Sequence, residues 1–486
     1  MKKTMCMLLC VMLLSLCAFA GAEGNTAYDD AQVLYQHGQY ELALPLYMEA
    51  AEAGNSAAMF RIGYMYSYSL GVEQDYAKSM EWYLKAVGAG SAAAMNNIGA
   101  LYENGNGVEQ DYAKAYEWYL KAAEAGSDYG MDNLGDLYYD GHGVEQDYAK
   151  ALEWYLKAAE AGHTGGMVRI GYMYSNGYGV EQDYAAALEW YQKAAEAGDS
   201  TAMNNIGALY ENGNGVEQDY AKAYEWYLKA AEAGGDYGMH NLGDLYYDGR
   251  GVEQDYAKAL EWYLKAAEAG HTGGMRRIGY MYDNGQGTEQ DYTKAMEWYQ
   301  KAVEYGDADA MLRIGYMYEN GRGMDPDYAR AMAWYLKADD AGVSAAAHNI
   351  GQMYNNGLGV EQDDAKAFEW HLKAAELGYV CSMNHIGFMY DNGQGVEQNH
   401  DKALEWYTKA AEGGRADAMY SIGYMYDNGR GMEPDAAAAL EWYLKAAEAG
   451  NVNGMKAAAD RYYDGKGVEQ DYTKALEWYL KATEAG

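Results

Sequence analysis

Cysteine is nearly missing from this chain. Of 486 residues four are Cys, and Cys6, Cys10 and Cys17 fall within the first twenty. Removal of that segment leaves Cys381 alone, so no intramolecular disulfide framework can form. Proline (3) and phenylalanine (4) are just as scarce beside 12 Trp, 53 Tyr and 60 Gly, which is not an average globular mixture. Positive charge is in deficit: 36 Lys and Arg against 73 Asp and Glu give a net charge of −37. Phosphate backbones and anionic membrane surfaces both need clustered Lys and Arg, so nucleic acid and a lipid surface are poor partners. Beyond the first twenty residues no segment is apolar enough to stay in a bilayer. The chain is nevertheless 50% hydrophobic, too apolar for a disordered polymer.

Residues 1–20 have the pattern of an export leader. Lys2 and Lys3 precede an apolar stretch from Met5 to Leu16, too short to span a bilayer as a mature helix. Ala18-Phe19-Ala20 supplies a small-x-small cleavage site, and Ala20-Gly21-Ala22 a second one. Lipidation would require a small residue before a Cys, whereas Leu9 and Leu16 stand there. The expected mature chain is therefore periplasmic or secreted.

A length of 486 would ordinarily suggest three or four domains. The tryptophans argue otherwise. They stand at 82, 118, 154, 190, 226, 262, 298, 334, 370, 406, 442 and 478, every interval being 36. Twelve such units fill residues 55–486, and a period in this range means an array of supersecondary units. Ala94–Met167 returns almost unchanged as Ala202–Met275, so blocks of three units have also been copied.

The unit from Ser91 to Gly126 reads as helix–loop–helix. Met95, Ile98, Gly99 and Tyr102 mark one face of a first helix, and Ala115, Trp118, Tyr119 and Ala122 one face of a second. Between them Gly105 to Asp111 is turn chemistry, with Asp111 as N-cap. Lys114, Glu117, Lys121 and Glu124 form the solvated stripe, with Glu117 and Lys121 in the favoured i,i+4 order. The position of Gly99 is glycine in eleven units and Ala459 in the last. A helical Gly costs about 1 kcal/mol relative to Ala, so the position predicts close approach of the paired helix, with its Trp and Ala against the glycine. Pro326 and Pro434 fall at the loop position of Gln110, where proline interrupts no helix. The expected fold is all-α.

Ile98-Gly99, Tyr102, Gly105, Gly107-Val108, Asp111, Lys114-Ala115, Trp118-Tyr119, Lys121-Ala122 and Gly126 together resemble the Sel-one-like repeat (SLR), a relative of the tetratricopeptide repeat. The resemblance covers residues 55–486. It implies a right-handed α-solenoid of antiparallel helix pairs, used as a scaffold for protein or peptide partners on its concave face. Some exported bacterial relatives are cysteine-rich, with a disulfide in each repeat and β-lactam-binding or hydrolysing activity; this chain, with one mature Cys, departs from that branch. Residues 23–54 read as a variant, plain tetratricopeptide-like capping unit with a loop five residues shorter. Pro45 there is expected to kink its helix. No capping helix follows the last repeat before Gly486, which leaves end-to-end self-association open.

Catalytic and metal motifs are missing. There is no HExxH, no CxxC and no Ser-x-x-Lys. Cys381 and His385 are i,i+4 and could face each other as nucleophile and base or as half a metal site, but without a third group. The Asp-Asn-Gly-x-Gly stretches at Asp283, Asp391 and Asp427 hint at calcium, yet lack the spacing of an EF-hand loop and are explained by turn formation. No catalytic, cofactor or metal site is therefore expected, and a binding scaffold is favoured over an enzyme or a self-assembling envelope element. Units differ mostly at the positions of Asn96, Asn97 and Ala100, which lie off the expected packing face. Arg276, Arg277 and Arg313, with Tyr280 and Tyr316 one turn on, are the candidate partner-binding residues, and Arg169 with Tyr172 repeats the pairing. Arg gathered this way suits an acidic or C-terminal peptide segment.

Overall fold

The computed structural model describes residues 26–485; the leader, with its cleavage sites, lies outside them. Two helices come first, α1 (residues 26–36) and α2 (Tyr40–Glu52). Twelve helix pairs follow, from α3 (Ser56–Tyr68) and α4 (Tyr76–Gly88) to α25 (Val452–Asp464) and α26 (Tyr472–Ala485), odd numbers being first helices and even numbers second. The fold is an all-α solenoid of tandem helix pairs. It divides into two compact units, one running to Leu245 with Gly249–Glu253, the other comprising Tyr246–Asp248 and the chain from Gln254 onward. No helix among the described residues is long and apolar enough to cross a membrane.

Local chemistry sets the helix ends. In the pair α5 (Ala92–Asn104) and α6 (Tyr112–Glu124), Asp111 Oδ1 accepts the backbone N–H of Lys114 at 3.0 Å. That bond, with help from the Lys114 ammonium, holds the Asp111 carboxyl below its ordinary range. Gly105 closes α5 in the left-handed region at φ 68°. Gly107, also at positive φ, has a second reason to be glycine: a Cβ there would collide with Tyr76 Cβ of the preceding pair. Gln110 Nε2 pins the loop by donating to Glu103 O at 2.8 Å. Where Pro326 and Pro434 replace that glutamine, the ring packs on the loop glycines Gly321 and Gly429 instead. α2 runs through Pro45 without a break. Pro45 is exposed, so the carbonyl it leaves without an N–H can be hydrated.

The core corrects the expected packing faces. Ala94, Ile98 and Leu101 of α5 and Ala115, Tyr119 and Ala122 of α6 are buried, whereas Met95, Tyr102 and Trp118 are only half-buried. Tyr119, not Trp118, lies against the glycine: a Cβ on Gly99 would come within 2.6 Å of two Tyr119 ring carbons. The neighbouring helix position sends Trp118 about 100° round the helix, where it packs on the preceding core of Tyr83, Ala86, Ala94, Ile98 and Leu101. Its outer face carries the Lys121 ammonium, 4.4 Å from the ring centroid. Tyr therefore holds a pair together, and Trp packs on the cluster that its pair's first helix shares with the preceding second helix. Ala459 fits this division: its partner Tyr479 is half-buried and turns its hydroxyl to Asp460, leaving room for a methyl group.

Candidate functional site: the first-helix face

The candidate arginines do not gather around one point. On α15 (Thr272–Asn284), Arg276 is spoken for by the next first helix, α17 (Ala308–Glu319): its Nε lies 3.2 Å from Asp307 and its Nη2 3.7 Å from Asp309. Asp307 is the N-cap of α17, so Arg276 fixes that helix start. Arg277 and Arg313 point elsewhere. The Arg277 guanidinium lies 5.5 Å from the Tyr247 ring centroid, and Arg313 the same distance from Tyr280. Tyr247 and Tyr280 are 6.5 Å apart, and Tyr316 carries Arg322 at 5.2 Å while remaining 37% exposed. The result is a ladder in which arginine and tyrosine alternate across successive first helices.

In the other compact unit, Arg169 donates to Asp136 at 3.2 Å, and the Tyr155 hydroxyl donates to the same carboxylate at 2.6 Å. Burial nonetheless holds the Asp136 carboxyl above its ordinary range, with Arg169 and Tyr155 opposing the shift. Tyr172 sits beside Tyr139 and Tyr178, at 6.4 and 6.0 Å, and stays exposed. The Arg–Tyr pairing therefore recurs here as a carboxylate-clamped version.

The positions that vary between units divide into two kinds. Asn96 is buried, against expectation, and accepts from Asn133 Nδ2 on the next first helix at 2.8 Å; Asn241 and Asn204 repeat this. Asn97 donates to the buried Tyr83 hydroxyl at 3.2 Å. The Ala100 position carries exposed rings at Tyr172, Tyr316, Phe388 and Tyr424, whereas its counterparts Asp136 and Gln352 bond to Tyr155 and His385. A cleft of 610 Å³ lies along this face between α3, α5 and α7 (Asp128–Asp140), lined by Phe60, Arg61, Tyr64, Asn96, Asn97 and Tyr129 among others.

The turn aspartates are engaged by basic side chains. Asp283 is paired with Arg322 at 3.0 Å, Asp391 with Arg430 at 2.6 Å and His400 at 2.8 Å, and Asp427 with Arg461. Arg322 and Arg430, like Arg250 on Glu211 at 2.6 Å, reach back 39 residues from the middle of a Gly-x-Gly loop. An Arg between those glycines, with an acid 39 positions before it, is the sequence signal that would have found them. Cys381 and His385 do not form a nucleophile–base pair either. The thiol accepts from Arg415 Nη1 at 3.5 Å, while His385 Nε2 faces Gln352 at 3.0 Å.

The profile of the Sel1 repeat matches twelve segments, 56–91, 92–127, 128–163, 165–199, 200–235, 236–271, 273–307, 308–343, 344–379, 382–414, 416–451 and 454–486. Among solved structures, c5321, a protective antigen of uropathogenic Escherichia coli displaying an SLR fold, is 33% identical over 91% of this chain and 94% of its own, at a TM-score of 0.49. A Sel1 repeat protein from Oxalobacter formigenes is 35% identical over 51% of this chain and 99% of its own, at 0.46. Cysteine-rich protein B of Helicobacter pylori is 28% identical over 26% and 92%, at 0.23. No match is found among curated proteins.

Proposed function

Because the chain belongs to the Sel1 repeat family, whose solenoids are typically protein-interaction scaffolds, we propose that it is an exported, non-enzymatic adaptor. Its first helices line the concave face and bind an acidic or C-terminal peptide segment. The observation that supports this reading is the ladder of Arg277, Tyr280, Arg313 and Tyr316. Each of the two guanidiniums lies over an aromatic ring, which orients it at low entropic cost, and a planar guanidinium suits the two oxygens of a carboxylate. Aromatic and Arg side chains held this way suit an interface centre. Arg276, clamped by Asp307 and Asp309, positions α17 rather than reading the ligand. Arg169 and Tyr172 form the corresponding, more acidic station in the other compact unit.

The test uses fluorescently labelled acidic octapeptides, with a free or an amidated C-terminus, titrated with the mature chain and read by anisotropy. Arg277→Glu with Arg313→Glu is expected to abolish binding while circular dichroism and melting stay unchanged. Undiminished binding by the double variant rules out this face. Export is checked by the mass of the chain recovered from its native envelope, which is expected to start at Gly21 or Glu23.

A further inference from the structure

One pair departs from all the others in its core. At the position where the eleven other pairs carry a tyrosine, α20 (Asp364–Glu376) carries His371, fully buried and within reach of a Cβ on the helix glycine Gly351. Four neighbouring positions have changed with it. Asn355 replaces the acid of Glu103, and Ser382 the alanine of Ala94. His348 and His385 take the places of Asn96 and Asn133, the bonded pair of another unit. His348 is on α19 (Ser344–Asn356) and His385 on α21 (Val380–Asn392). The three imidazoles form a triangle with centroids 5.0, 5.0 and 5.2 Å apart.

In the neutral state the triangle is well satisfied. Ser382 Oγ bridges His348 Nδ1 at 2.8 Å and His371 Nδ1 at 3.4 Å, so it can donate to one ring and accept from the other. Asn355 meets His371 Nε2 at 3.2 Å, and Gln352 meets His385 Nε2 at 3.0 Å. None of these partners is an anion. The charged groups that act on the rings come from the start of α23 (Ala416–Asn428): Arg415, which opposes protonation of His348 and His385, and Asp417, which weakly favours it on His385. Cys381 and Tyr379 interact with each other beside the rings. From α18 (Tyr328–Asp340), packed on α19, the buried carboxylate Asp339 is already held by Lys373 at 2.6 Å. Nor is the triangle placed as a metal site: no group of three or more His, Cys, Asp or Glu among the described residues can hold an ion.

We propose that this three-histidine core is an acid-sensitive joint, at which protonation opens α19–α21 while the neighbouring pairs stay folded. Burial, then the charge of the other rings, holds His371 at about 3; burial, His385 and Arg415 hold His348 at about 4; and burial lowers His385. The sign follows. The unfolded segment takes up protons near pH 6.5 and the folded one does not, so stability is full above 6.5 and is lost as pH falls towards 4. His163 provides the opposite case: hydrogen bonding to Asp132, with Asp128 behind it, raises it, so acid favours the folded state there.

Amide hydrogen exchange on the full mature chain at pH 7.5 and 5.0, corrected for intrinsic rates, tests this. Protection of residues 344–392 is expected to fall by roughly thirtyfold for each ring titrating across that interval, a change of tenfold per pH unit per proton. Residues 128–176 are expected to keep their protection. The variant His348→Asn, Asn355→Glu, His371→Tyr, His385→Asn, which installs the side chains other pairs use, is expected to lose the acid effect. The wild-type measurement stands without the variant: equal loss in 344–392 and in the flanking pairs overturns the proposal. An acid effect that persists in the folded variant does the same.

Discussion

Gly279→Ala sets two known magnitudes against each other in one pair. Alanine in mid-helix is favoured over glycine by about 1 kcal/mol, so on propensity alone the change stabilises. The added Cβ, however, would stand 2.7 Å from two ring carbons of Tyr299 and 3.2 Å from the Ala295 carbonyl oxygen. Tyr299 is fully buried and its own helix backbone stands behind the contact, so neither side can yield cheaply. Overpacking of this kind costs about 1–3 kcal/mol, and a net loss of about 1 kcal/mol is expected. On a Tyr299→Ala background the ring is gone and the same change should gain about 1 kcal/mol. The coupling, about 2 kcal/mol, is the quantity to measure. Because cooperativity breaks down in long arrays, exchange protection of 272–304 is a better readout than a single urea midpoint. Ala459→Gly, where no buried ring opposes the methyl group, should simply lose about 1 kcal/mol. If Gly279→Ala stabilises equally in both backgrounds, close helix approach does not explain the eleven glycines.

The other substitutions use the same local readout. Tyr227→Phe removes a 2.5 Å bond to Glu211 and should cost about 1.5–3 kcal/mol, as for hydrogen bonds to charged groups. Tyr299→Phe removes a buried hydroxyl without a partner and should be neutral or stabilising by about 1 kcal/mol; equal losses at the two sites would contradict the network. Tyr335→Ala, emptying a fully buried site, should cost about 3–5 kcal/mol, and Trp334→Ala less despite its larger ring, because that ring is half-buried under Lys337. Arg322→Met strands the buried Asp283 carboxylate and should cost about 3–5 kcal/mol; a loss under 1 kcal/mol would show that water replaces the guanidinium. With a net charge of −37, the melting temperature should rise between 10 mM and 0.3 M NaCl, since repulsion between exposed charges is screened beyond about 8 Å at physiological salt; an unchanged melt would refute this.

What could be read from the chain was what chemistry decides within one unit. Asp111 caps its helix through a bond three residues away, and Gly105 takes a left-handed conformation that few side chains adopt. Repetition made these signals unmistakable. The same repetition hid which aromatic points inward: Trp118 and Tyr119 are adjacent in every copy but one, so periodicity gives both the same weight. The discriminating signal was Lys121, three residues after the Trp and stacked on it. Ion pairing was illegible for another reason. Arg276, Arg169, Arg461 and Arg322 find their acids 31, 33, 34 and 39 residues away, on a neighbouring copy, so a unit read by itself shows charges but not their partners.

That distinction changes what variation between copies means. Where Glu103, Glu211 or Glu319 stands at the end of a first helix, its carboxylate accepts the buried tyrosine hydroxyl. Where the shorter Asp283 stands, a loop arginine takes it and the hydroxyl of Tyr299 is left alone; Asp391 is likewise taken by Arg430. Where Asn355 stands, the tyrosine itself has become a histidine. These are exchanges of whole sets, and they answer to the interior rather than to a ligand. The Asn96 position belongs with them, since it bonds the next first helix. Once they are set aside, the freedom that remains lies at the Ala100 position and the arginines that alternate with it. Tyr172, Tyr316, Phe388 and Tyr424 are large rings held in water at that position, which alanine fills at Ala100 and Ala208. A side chain the interior does not require, repeated along one face beside oriented guanidiniums, is the strongest reason to look for a partner there.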